Sequence, residues 1–200
     1  MSVGGSWRWA WAARVLLAAA LAVLAACSSG GGSPADTPPA GGTSPASVSV
    51  SPSPTSPADL AKVRGVAAYL GMWREAAVAS HSSDWQDPKL SAYASGSALQ
   101  VLTGALYADH ANKVVSKGAS VNTPTVTSVD PAATPTTVVI ADCGDDAGWQ
   151  KYHADPGAPD DGQLVAGSPG GRRQITAEVK LHQDGVWRVT RFAVRSVGSC

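Results

Sequence analysis

The stretch "QITAEVKLHQDGVWRVTRFAVR", Gln174–Arg195, reads as two strands and a turn. Ile175, Ala177, Val179 and Leu181 alternate with Thr176, Glu178, Lys180 and His182. That is the period of a strand with one face on a core. Asp184-Gly185 follows, a pair suited to the positive φ angles of a tight hairpin. The return run, Val186–Arg195, changes parity: Trp187 and Val189 share one face, Phe192 and Val194 the other. This slip predicts a β-bulge near Thr190-Arg191, and a bulge bends a strand. A long bent hairpin implies a curved antiparallel sheet.

Upstream, the pattern is helical. Ser56-Pro57-Ala58-Asp59 is a start signal: a capping hydroxyl, a proline suited to the first turn, and an acid near the positive helix end. Leu60, Val63, Ala67, Leu70, Trp73 and Ala77 recur at helical spacing, and the helix is expected to run to about Ser80. Asp87-Pro88 starts a short segment through Leu90 and Tyr93. Leu99, Leu102 and Leu106 mark a third helix, with Lys113 and Lys117 read as its last turn and Gly118 as its stop. Two β-rich runs, Thr125–Asp130 and Thr136–Asp142, come next. Gly144–Gly171 reads as a long loop carrying several aspartates. Helices followed by an antiparallel sheet give an α+β fold class, with N-terminal helices packed on a curved sheet. Residues 58–200 fit one domain.

The N-terminus has a different character. Arg8 and Arg14 precede "VLLAAALAVL" at Val15–Leu24, the charged and apolar parts of an export signal. The apolar run is too short to span a bilayer, which takes roughly 20 residues. Leu24-Ala25-Ala26-Cys27 resembles the lipobox of bacterial lipoproteins. The resemblance implies removal of residues 1–26 and lipidation of Cys27. Two acyl chains on one glycerol make a stable anchor, whereas one holds only marginally. The expected location is therefore the outer face of the cell membrane. Residues 27–57 carry the anchor and then a Ser/Gly/Pro linker, too polar to bury a core and expected to be disordered.

The chain has 15 basic and 15 acidic residues, and removing the signal leaves it close to neutral. Nothing in that balance suggests nucleic-acid binding. With Cys27 assigned to lipid, Cys143 and Cys200 form an even pair in an oxidising compartment, and a disulfide is expected between them.

The order of elements resembles the cone-shaped, cystatin-like fold of the nuclear-transport-factor-two and ketosteroid-isomerase superfamily. More narrowly, "YLGMWREAAVAS" at Tyr69–Ser80, "PKLSAYASGSALQVLTGAL" at Pro88–Leu106, "VVIADCGD" at Val138–Asp145, "GVWRV" at Gly185–Val189 and the terminal "GSC" resemble secreted lipoproteins of actinobacteria. The resemblance implies a cavity between helices and sheet. Tyr69, Trp73, Tyr93, Asp142 and Trp187 are the candidate lining residues, and Asp142, at a strand end, is the candidate carboxylate.

Motifs for other chemistry are missing. No Gly-X-Ser-X-Gly elbow, phosphate loop or dinucleotide glycine pattern occurs. The histidines lack zinc spacing, and the aspartates of the long loop lack the spacing of a calcium loop. His81 near Asp84 and Asp109 beside His110 are the nearest approach to acid–base pairs. No metal, cofactor or catalytic residue is expected. The expected function is a lipid-anchored, extracytoplasmic domain that binds a small apolar ligand or an envelope protein. The alternatives are an isomerase- or hydratase-type enzyme and a structural accessory domain of an envelope complex.

Overall fold

A computed structural model describes residues 56–168 and 170–200. The export signal, Cys27 and nearly all of the linker lie outside the described residues. The described chain is α+β. Helices α1 (Pro57–Ser80), α2 (Leu90–Tyr93) and α3 (Gly96–Ala111) precede strands β1 (Val114–Lys117), β2 (Thr125–Asp130), β3 (Thr137–Asp145), β4 (Gln150–His153), β5 (Arg172–Leu181) and β6 (Trp187–Val194). Four strands form an antiparallel sheet in the order β2-β3-β5-β6, and β1 pairs with β4 in a separate ladder.

Helix α1 starts where its sequence says. The Ser56 hydroxyl oxygen accepts from the Asp59 N–H at 3.1 Å, with Pro57 in the first turn. Its buried face differs from the expected one. Ala61, Gly65, Ala68, Tyr69, Met72, Ala76 and Ala79 face the core, while Leu60, Val63 and Leu70 are exposed. Small residues let the helix lie close on the sheet, and close packing outweighs burial of the larger side chains. The result is an exposed apolar stripe on the outer side of α1. Gly71 gives α2 its seat: a Cβ there would run into the Tyr93 ring.

The core continues through Val138, Ile140, Ile175, Ala177, Val179 and Val189 of the sheet and Leu102 and Leu106 of α3. The predicted bulge is present. Glu178 pairs with Arg191 and Val179 with Val189, leaving Thr190 as the extra residue. Beyond the bulge Phe192 therefore turns inward opposite Ala177. A second register shift lies between Val126 and Ser128.

Two expectations are corrected between α3 and β5. Lys113 and Lys117 are not the last turn of α3, which ends at Ala111. Val114–Lys117 is a strand, where the β-branched pair Val114-Val115 pairs with Tyr152 and His153. The segment read as one long loop contains β4, and Tyr152 also bridges to Leu164. Gly118 closes β1 at φ +84°, where a Cβ would collide with the Gly148 carbonyl.

Cys143 and Cys200 are bonded, with Cα atoms 6.0 Å apart. Cys143 lies on the sheet face opposite Asp142, because neighbouring strand residues point to opposite sides. The bridge thus clamps the C-terminal tail against the outer face. Gly198 N–H donates to the Arg172 carbonyl and Gln174 N–H to the Ser199 hydroxyl beside it.

Candidate functional site

Asp142 occupies a core position on β3, in phase with Val138 and Ile140, and is 6% exposed. A buried carboxylate is costly unless it is hydrogen-bonded. Here three donors meet it. The Tyr69 hydroxyl reaches Oδ2 at 2.8 Å, the Asn122 amide reaches Oδ2 at 2.7 Å, and the Thr123 backbone N–H reaches Oδ1 at 2.8 Å. Burial and the adjacent carboxylate push the Tyr69 phenol well above its ordinary value. Trp73 stands edge-on to Tyr69, Trp149 and Phe192.

Of several concavities among the described residues, the one that joins an apolar base to fixed charged groups lies elsewhere. A cleft of about 220 Å³ opens between α1, α3 and the β1–β4 ladder. Ala76 of α1 and Leu102, Ala105 and Leu106 of α3 supply an apolar floor, and the Trp149 indole supplies a wall. The indole is fixed, since its N–H donates to the Ser80 hydroxyl at 3.0 Å, which itself donates to the Ala77 carbonyl. Ser116, Ser168 and two ion pairs complete the lining. Lys151 Nζ meets Asp109 Oδ1 at 2.5 Å, and Arg173 Nε meets Asp146 Oδ2 at 3.0 Å. The cleft is thus apolar at its base and charge-balanced in its lining.

The five residues expected to line a cavity are distributed differently. Tyr69 and Asp142 are together but bonded to each other inside the core. Trp73 packs beside Tyr69 and lines a separate surface concavity of about 300 Å³ with Leu70, Arg74 and His81. Tyr93 lies under Arg74, whose guanidinium is 5.5 Å from the ring centroid. Trp187 is buried in the sheet layer of the core. None of the five lines the cleft. Of the histidine pairs, His81 Nε2 lies 3.1 Å from the Gly118 carbonyl, and Asp109 bonds Lys151 rather than His110.

The cleft residues carry a weak signal in the sequence. Trp149 and Lys151 are two apart, the spacing that puts both on one side of a strand. The run is short and flanked by Gly and Asp, so it reads as loop. Asp109 and Lys151 are 42 positions apart, and only the β1–β4 ladder brings them together.

No family model matches the sequence, and no curated protein matches it. Among solved structures, the chain is similar to the intermembrane space region of the chloroplast protein ARC6. Sequence identity is 14%, the TM-score is 0.44, and the likeness covers 65% of this chain and 92% of that one.

Proposed function

We propose that the chain is a lipid-anchored, extracytoplasmic ligand-binding domain whose site is the cleft between α1, α3 and the β1–β4 ladder. One observation carries this reading: a concave apolar surface meets a few fixed polar groups there, the usual make-up of a small-molecule site. The resemblance of Leu24–Cys27 to a lipobox supports the anchor. The bulges at Thr190 and Thr127 support a sheet curved into the cone expected from the superfamily resemblance.

An isomerase-type reading draws less support. Acid–base catalysis needs a group within reach of a substrate proton. Asp142 and Tyr69 spend their polar atoms on each other and on Asn122 and Thr123. A second reading, docking to an envelope protein, is favoured by the exposed stripe of Leu60, Val63 and Leu70 on α1.

Two experiments test the proposal. Cys27→Ser should release the protein from membranes or block its maturation; membrane retention at wild-type mass would contradict the anchor. Titrating the exported protein with a panel of small amphiphiles should shift the amide resonances of Leu102, Leu106, Trp149 and Lys151. A panel that leaves those resonances unmoved would contradict the site.

A further inference from the structure

The two ion pairs of the cleft are not equivalent. Asp146 is committed to the fold: its Oδ1 accepts from the Gly171 N–H at 2.7 Å while Oδ2 holds Arg173. That pair pins the entry of β5. Asp109 and Lys151 hold only each other. Their side chains make no other hydrogen bond among the described residues. They join α3 to β4 at the edge of the apolar floor, and the Lys151 side chain is 41% exposed.

An ion pair beside an apolar surface selects by charge pattern. An anion approaching Lys151 also meets the Asp109 carboxylate, and a cation approaching Asp109 meets the lysine. Attraction and repulsion then largely cancel for either. A molecule carrying both charges a few ångströms apart is attracted at both ends, with its carboxylate toward Lys151 and its ammonium toward Asp109. Charge-assisted hydrogen bonds of this kind are the stronger class. The floor of Ala76, Leu102, Ala105 and Leu106 then covers an apolar body. The volume, about 220 Å³, suits a molecule of amino-acid size.

Resting on the ligand-binding reading above, we propose that the cleft binds a small zwitterion with an apolar side group, of the α-amino acid class, with Asp109 and Lys151 as its head-group partners. The test compares four probes by calorimetry on the exported protein: L-phenylalanine, 3-phenylpropionate, phenethylamine and benzyl alcohol. Phenylalanine should bind at least ~10-fold more tightly than each of the others, the discrimination of a site whose polar groups are matched only by the full head group. Asp109→Asn and Lys151→Gln should each weaken phenylalanine binding by ~10-fold or more while leaving the melting temperature within a few degrees.

Equal binding of phenylalanine and any one-ended probe would overturn the zwitterion assignment and leave the cleft as a site. Failure of all four probes, with other amphiphiles still shifting the cleft resonances, would also overturn the assignment alone. Failure of every amphiphile would overturn both. Tight phenylalanine binding that survives both substitutions would remove Asp109 and Lys151 from the head-group site.

Discussion

Tyr69 of α1 donates its hydroxyl proton to Asp142 of β3 at 2.8 Å, across the interface between helix and sheet. The bond ties residues 73 positions apart and fixes how the helix sits on the strands. Asn122 and Thr123, in the connection between β1 and β2, join the same carboxylate. The network therefore links three parts of the fold through one side chain.

Removing its members should be costly and non-additive. Tyr69→Phe takes away one donor and should lower stability by about 1–3 kcal/mol. Asp142→Ala strands three donors and should cost more. The double substitution should cost less than the sum of the two, because the pair is in contact. Denaturant titrations of the three variants check this, and additive values would contradict the shared network.

The same pair sets an alkaline limit. Burial and Asp142 raise the Tyr69 phenol in the folded state. Its contribution is complete below about pH 10, where the unfolded tyrosine is still protonated. Above that, the unfolded chain ionises first, and stability should fall as pH rises further. Stability curves from pH 8 to 11 should bend downward in the wild type and less so in Tyr69→Phe.

Reducing the Cys143–Cys200 bridge should destabilise the fold without abolishing the core, since the bridge lies on the outer face of the sheet. The loop it closes has a chain-entropy value of about 4 kcal/mol, an upper expectation. Thermal melts with and without reductant measure it. Two free thiols in exported protein by non-reducing mass measurement would contradict the pairing.

Two glycines should respond in opposite directions. Gly118 has φ +84° and faces the Gly148 backbone, so Gly118→Ala should destabilise by more than about 1 kcal/mol. Gly104 is an exposed position of α3 with open space around it, so Gly104→Ala should stabilise by about 0.5–1 kcal/mol. Melting temperatures of the two variants check the signs.

Elements with strong local signals were legible in the sequence. The Ser56-Pro57 start, the Asp184-Gly185 turn and the parity slip at Thr190 each reflect backbone chemistry that tertiary contacts leave unchanged. The β1–β4 ladder was not legible. Each strand has four residues, too few alternations to stand out. The basic residues before Gly118 imitate a helix end. The buried face of α1 is not legible for another reason: hydrophobicity favours Leu60, Val63 and Leu70, while close approach to the sheet favours Ala and Gly. The cleft depends on both features. The α1 part of its floor, Ala76, comes from the small-residue face, and Lys151 of its charged edge comes from β4.

Filling the cleft tests the central claim most directly. Ala105 lines the floor on α3 and is exposed, so Ala105→Phe should occupy the space without entering the core. Amphiphile titrations followed by amide NMR should move Leu102, Leu106, Trp149 and Lys151 in the wild type and leave them unmoved in the filled variant. Shifts that persist in Ala105→Phe, or that map away from the cleft in the wild type, would contradict a ligand site between α1, α3 and the β1–β4 ladder.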